Sequence, residues 1–239
     1  MEHPNAANLA ALHNIASGRI FMLGTGPSLL KQQDLLPKLR DEATFACNSL
    51  PRWKECPFVP TYYAVTDIYG AALLKKYIWP SLQCPKFHIG WDTEESIPEF
   101  QWVHKAHDSI QVFSQGFVGF GESLPPIPTG RTSPLTMCQL AAWMGYREFY
   151  FLGIEQSDHG YVYNPEVSLG HSGRGFNYGQ RYLLAVQRCF ARARLDIEAA
   201  GAKVYDCTPG GWLNNTGQAK RGVGHKAVLE YKPLEEVLK

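Results

Sequence analysis

The chain has 239 residues, 45% of them hydrophobic and 19% charged, with a formal net charge of +1. That length buries a substantial core, and the near-neutral balance gives no long-range attraction to nucleic acid. No apolar run approaches the ~20 residues of a membrane-spanning helix. The first residues lack the basic start and apolar centre of a secretion signal, so a cytoplasmic location is expected. The six cysteines, Cys47, Cys56, Cys84, Cys138, Cys189 and Cys207, form no C-x-x-C pair and read as buried free thiols.

Residues 1 to 18 read as a helical lead-in carrying Leu9, Leu12 and Ile15. Ile20-Phe21-Met22-Leu23 is a short apolar run of the kind that fills a strand buried on both faces. Gly24-Thr25-Gly26-Pro27-Ser28 follows, with a helix expected to begin at Pro27. Strand, glycine turn and helix start are the parts of an anion site, because glycine lets the backbone approach a phosphate and free N–H groups point at it. The turn matches neither the dinucleotide fingerprint nor the phosphate loop, and a ligand-free tight turn stays open beside the binding reading.

Thr44 to Cys47 is expected as a second strand ending at Asn48, and Thr61 to Thr66 as a third ending at Asp67. A helix with Leu73, Leu74, Tyr77 and Ile78 comes next, stopped by Pro80, and Lys86 to Ile89 is a fourth strand. Polar groups thus sit just past strand ends, the edge where open α/β sheets bind ligands. Residues 92 to 128 read as an irregular insertion with one or two extra strands, Ile110 to Phe113 the best of them. Their histidines fit no metal-ligand spacing, and no metal ligand is assigned.

Thr132 or Ser133 caps a helix with Pro134 early in it, Gly145 ends it, and Phe149 to Leu152 is a buried strand leading into Gly153-Ile154-Glu155. A long helix from about Tyr178 to Ala200, with Gly201 as its cap, leads to a strand at Lys203 to Cys207. Alternating strands and helices predict one Rossmann-like α/β domain over residues 1 to 239. Its doubly wound, mostly parallel sheet should carry helices on both faces.

GTGPSL at 24 to 29, Cys47-Asn48, TSPLTMCQLAAWMGYREFYFLGIE at 132 to 155 and LGHS at 169 to 172 carry a resemblance. Together they resemble the bacterial lipooligosaccharide sialyltransferase family. They are also similar to the broader group that includes the archaeal-type 6-hydroxymethylpterin pyrophosphokinase. The resemblance runs from the first strand to about Pro209, apart from the insertion, and is most specific in the 132–155 block. It implies a glycosyltransferase that takes a sugar, sialic acid first, from a nucleotide-activated donor to a glycan or small-molecule hydroxyl, with no cofactor required. Gly24 to Ser28 and Asn48 would hold the nucleotide. Thr132 and Ser133 would contact the donor, and Gly153, Ile154 and Glu155 would border the cleft. Tyr161 and Tyr163 would bond the departing phosphate, and His171 would be the general base. Glu155 stands where the family shows Asp, Thr25 where it usually shows an amide, and Asp67 where it shows an Asn-like group.

The residues themselves leave alternatives open. Asp67 either caps the following helix or meets a ribose hydroxyl or a Mg²⁺-bound phosphate. Ser133 reads as a cap or a ligand, Asn48 as a turn residue or a ligand. Tyr161 and Tyr163 alternate as in a half-buried strand. Arg174 belongs to a solvated arginine face or reaches an anionic substrate beside His171. The rival functions are a Mg²⁺-dependent diphosphokinase using ATP, with Asp67 and Glu155 on the metal, and a non-catalytic nucleotide-binding protein. A homo-oligomer stays open.

Overall fold

The computed structural model describes residues 7–66, 82–90, 100–104, 132–155, 160–164, 180–214 and 227–239. Among these residues eight strands form one sheet: β1 (Arg19–Leu23), β2 (Thr44–Cys47), β3 (Tyr62–Val65), β4 (Lys86–Gly90), β5 (Gln101–His104), β6 (Glu148–Leu152), β7 (Lys203–Asp206) and β8 (Glu230–Tyr231). Their order across the sheet is β5-β4-β3-β2-β1-β6-β7-β8. Every pairing is parallel. The fold is α/β and Rossmann-like.

The apolar run of β1 explains why that strand lies at the centre. Ile20, Phe21 and Met22 are fully buried, flanked by β2 and β6. Neighbouring strand residues face opposite sides of the sheet, so β1 feeds two cores. Ile20 and Met22 join Phe45, Phe149, Phe151 and Val204 on one face, against α2 (Ser133–Trp143) and α3 (Gln180–Ala199). Phe21 and Leu23 join Tyr63, Tyr150 and Leu152 on the other. Burying each such side chain contributes about 1.5–3 kcal/mol of transfer free energy, most of it offset by chain entropy.

The second face is covered differently from expectation. The segment after the glycine turn is not an α-helix. It forms two 3₁₀ helices, η1 (Pro27–Gln32) and η2 (Leu36–Asp41), and η3 (Leu50–Arg52) follows β2. Leu29, Leu36, Leu39 and Leu50 come down from them onto the sheet. Pro37 restarts the second piece, since a proline ring is accommodated only near a helix start. On the first face, α2 is buried nearly all round, not on one stripe, from Pro134 to Ala142. Among the described residues of the lead-in, the helix α1 covers Leu9–Leu12, and Ile15 is 53% exposed. Trp143 Nε1 ties it down by donating to the Leu9 carbonyl at 2.7 Å.

Strands β2, β3, β4, β6 and β7 fall where the apolar runs placed them, within a residue or so. Two strands did not announce themselves. β5 lies inside the stretch read as an insertion and pairs with β4 as the sheet edge, while the strand expected at Ile110 to Phe113 lies outside the described residues. β8 is two residues long, and a short α4 (Leu234–Val237) follows it. All six cysteines are free thiols. No helix among the described residues is long and apolar enough to cross a membrane.

Candidate functional site

The chain runs outward from β1 to β5 and then returns to place β6 on the other side of β1. The switch point of the sheet is therefore the β1–β6 gap. Open α/β sheets bind ligands at the C-terminal mouth of this gap. Two glycine steps meet there: Gly24 to Ser28 after β1 and Gly153-Ile154-Glu155 after β6.

Backbone bonds stitch these steps together. Gly24 N–H donates to the Leu152 carbonyl and Gly26 N–H to the Gly153 carbonyl, both at 2.8 Å. The approach is so close that a Cβ on Gly24 would land on the Gly153 carbonyl, and one on Gly26 on the Glu155 carboxylate. Gly153 has φ +68, a conformation that suits glycine, and its Cα faces Leu29. Both turn glycines therefore serve close approach.

The Ser28 N–H donates to Glu155 Oε1. A carboxylate from the chain itself sits where the glycine turn was expected to receive a phosphate. Its other oxygen, Oε2, is buried and has no hydrogen-bond partner among the described residues. Ser28 is 2% exposed, and its hydroxyl likewise has no partner among them.

Beside this pair lies a polar cluster. Asn48 takes a left-handed φ of +45, which asparagine tolerates, so it is a turn residue. Its side chain bridges two elements: Nδ2 donates to Ser133 Oγ at 2.8 Å, and Oδ1 accepts from Thr66 N–H at 3.2 Å. Thr66 and Ser133 share a hydroxyl–hydroxyl bond, and the Tyr63 hydroxyl donates to the Asn48 carbonyl. Thr132 occupies the N-cap position of α2 in an extended conformation (φ −138, ψ 143), but neither it nor Ser133 caps the helix through its side chain. The Thr132 carbonyl accepts from Thr136, while its hydroxyl is buried without a partner among the described residues.

Tyr161 and Tyr163 do not lie in a strand. Tyr161 and Asn164 close a two-residue turn through an isolated antiparallel bridge. Val162 between the tyrosines is buried, and its N–H donates to the Thr25 carbonyl at 2.8 Å, pinning this turn to the glycine turn. The two rings stack at 5.1 Å, and the Arg52 guanidinium lies 4.4 Å from the Tyr163 centroid. Burial pushes the Tyr163 hydroxyl up, while Ser49 and Arg52 pull the other way.

On the far side of Glu155, the end of β7 carries a carboxyl that the motif reading passed over. Asp206 is fully buried; burial pushes it up to about 7, with the Glu155 charge adding to the rise and bonds from Thr208 and Asn214 opposing it. Its Oδ1 accepts from the Thr208 N–H at 2.9 Å and its Oδ2 from Asn214 Nδ2 at 2.8 Å.

Of the sequence-predicted residues, the structure gathers Gly24 to Ser28, Asn48, Thr132, Ser133, Gly153, Glu155, Tyr161 and Tyr163 on one edge. Asp67, His171 and Arg174 lie outside the described residues. Sequence reasoning missed Thr66, Arg52 and Asp206. Thr66 and Asp206 stand at strand ends, the signal that drew attention to Asp67 one position later, whereas Arg52 had none.

Fold and edge define a class, a Rossmann-like α/β domain with its polar groups collected at the switch point. Compared with family models, curated proteins and solved structures, the chain matches none.

Proposed function

We propose that the protein is a transferase of the glycosyltransferase type, binding a nucleotide-activated sugar along the C-terminal edge of β1, β2 and β6. The observation that carries this reading is convergence. Residues from five separated stretches, singled out in the sequence as donor-binding, come to that edge in two bonded groups, one joining the 24–28, 153–155 and 161–164 stretches and the other Asn48 with Ser133. Hydroxyl and amide donors without fixed charge suit a nucleotide monophosphate leaving group. CMP-linked sialic acid is the leading donor, through the resemblance of the 132–155 block.

In the proposed reaction the acceptor hydroxyl attacks the anomeric carbon as the bond to the phosphate oxygen breaks. The nucleotide leaves with that electron pair, and His171 takes the hydroxyl proton. An imidazole with an ordinary pKa near ~6.5 suits that task at neutral pH. Ser133 and Tyr161 would steady the departing phosphate. Glu155 must then yield the Ser28 N–H to the donor or hold a sugar hydroxyl beside it. His171→Ala is expected to lower kcat by at least about a hundredfold while CMP still binds, as read by a coupled CMP-release assay and calorimetry. Normal turnover would remove His171 from the mechanism.

A second reading is favoured by one observation, the buried Glu155 Oε2 without a partner. A carboxylate oxygen of this kind would serve as one ligand to a Mg²⁺ carrying the ATP phosphates, as a diphosphokinase would require. Among the described residues no three His, Cys, Asp or Glu side chains gather around it. EDTA separates the two readings: transfer is expected to survive it, and complete loss restored by Mg²⁺ would favour the diphosphokinase.

A further inference from the structure

Glu155 is held from two directions, and only one of them is the glycine turn. The turn after β7, residues 206 to 214, reaches across to the Gly153-Ile154-Glu155 step by two bonds. The Ile154 N–H donates to Thr208 Oγ1 at 3.2 Å, and the Trp212 N–H donates to the Glu155 carbonyl at 3.2 Å. That turn is in turn organised around one side chain. Asp206 binds the Thr208 N–H through Oδ1 and Asn214 through Oδ2, and Asn214 Nδ2 also donates to the Thr208 carbonyl at 2.8 Å. Gly211 N–H closes on the same carbonyl, and Gln187 of α3 anchors the Trp212 carbonyl at 3.1 Å. The Asp206 carboxyl therefore acts on the edge of β1 from two strands away without touching it.

We propose that Asp206 is a positioning residue: through the Thr208–Ile154 and Trp212–Glu155 bonds its buried carboxyl sets how the Glu155 carboxylate stands against the glycine turn. This deepens the nucleotide-site reading and rests on it. Both carboxyl oxygens accept hydrogen bonds from N–H donors, which suits the ionised form. Burial works against that form, and the balance falls near neutral pH, at about 7. The charged and titratable groups facing Asp206 are Glu155 beyond β6, Cys207 just past the end of its own strand, and Tyr231 on β8 with Lys232 just after it. A proton on the carboxyl turns one acceptor into a donor that faces other donors. The 206–214 turn then loosens, and Ile154 and Glu155 lose their support.

The test is amide hydrogen exchange on the full chain from pH 5.5 to 8.5, corrected for intrinsic rates, with CMP binding measured alongside. In the wild type, protection of the Ile154 and Ser28 amides is expected to fall about tenfold as pH drops through 7, while the Ile20 and Met22 amides of β1, which report global stability, lose none. Asp206→Asn places an amide N–H₂ among those donors and is expected to show the low protection at every pH. Thr208→Val removes the acceptor for Ile154 and the hydroxyl's own bond to Asp206 while leaving the carboxyl in place, and is expected to lower Ile154 and Ser28 protection together. An unchanged pH profile in Asp206→Asn, or Ser28 protection untouched by Thr208→Val, overturns the proposal. If the exchange behaves as expected and CMP does not bind, the positioning role of Asp206 stands and the nucleotide reading falls. If CMP binds with unchanged affinity to both variants and the Ile154 and Ser28 exchange is also unchanged in them, the nucleotide reading stands and the positioning role falls.

Discussion

Gly24→Ala is expected to destabilise the folded chain by about 3 kcal/mol, the upper part of the range for overpacking, and to abolish binding at the β1–β6 mouth. The added Cβ falls on the Gly153 carbonyl oxygen and lies 2.9 Å from both the carbonyl carbon and Ile154 Cγ1. Most overpacked sites recover by turning a side chain. Here the obstacle is backbone, held by the Gly24–Leu152 and Gly26–Gly153 bonds, so relief requires prying β1 and β6 apart at their ends. That motion would also carry Glu155 off the Ser28 N–H. Urea unfolding followed by tryptophan fluorescence gives the stability change. A loss below about 1 kcal/mol, within the ordinary spread of point substitutions, would show that the two glycine steps are not locked together.

The second large effect is a pH dependence that runs opposite to the usual carboxylate. The folded-state pKa of Asp206 is raised from 3.8 to about 7 because the group is buried. Between those values the folded chain holds a proton that the unfolded chain releases, so this group's contribution to stability declines as pH rises through that window. Above about pH 7 it is constant. The full displacement corresponds to at most about 4 kcal/mol. Paired carboxylates behave conversely: the Lys203 ammonium holds Glu148 below its ordinary value, a contribution lost in acid. The informative quantity is therefore the difference between wild type and Asp206→Asn. Asparagine brings a fixed penalty, since it presents a donor to Thr208 or Asn214, but no titration. Its disadvantage is expected to shrink steadily from pH 4 to pH 7 and then level off, in urea unfolding at closely spaced pH values. A constant difference across that range would mean that Asp206 titrates as in the unfolded chain.

Stability and local order are thus expected to diverge at Asp206. Protonation favours the fold as a whole while it slackens the turn that supports Glu155. A group built only for stability would show no such opposition.

The sheet was legible because its central strands leave little choice. Four consecutive apolar residues at 20 to 23, and the Phe149 to Leu152 run, must be covered on both faces. The parallel pairing followed from the same logic, since a parallel sheet needs crossovers of the length seen between these runs, whereas the order of the strands came from the structure. What was misread depends on contacts far away in the chain. Pro27 and Ser28 announced a helix start, but whether the turn that followed was α or 3₁₀ depended on Leu29, Leu36 and Leu39 seating on the second core. Gln101 to His104 carries only two apolar residues, and pairing with β4 makes it a strand.

The site shows the same division. Gly24 and Gly26 were expected to approach a phosphate and Gly153 to border the cleft, and the structure gives them an approach to each other and to Glu155. Ser133 read as a cap or a ligand, and its bond to Asn48, 85 residues earlier, decides that it does not cap its own helix. Asp206 reads in the sequence as one residue of the strand at Lys203 to Cys207. A charged residue alternating with apolar ones normally faces solvent, and nothing local says that Thr208 and Asn214 fold back to satisfy it.

The central claim is that a nucleotide lies along the C-terminal edge of β1, β2 and β6. Backbone amide chemical-shift mapping during a CMP titration addresses it residue by residue. The account predicts saturable shifts centred on Thr25, Ser28, Asn48, Ser133 and Glu155, with the amides at the opposite ends of the strands, Arg19 and Lys203 among them, unmoved. Saturable binding that shifts amides elsewhere and leaves residues 24 to 28 untouched would contradict it.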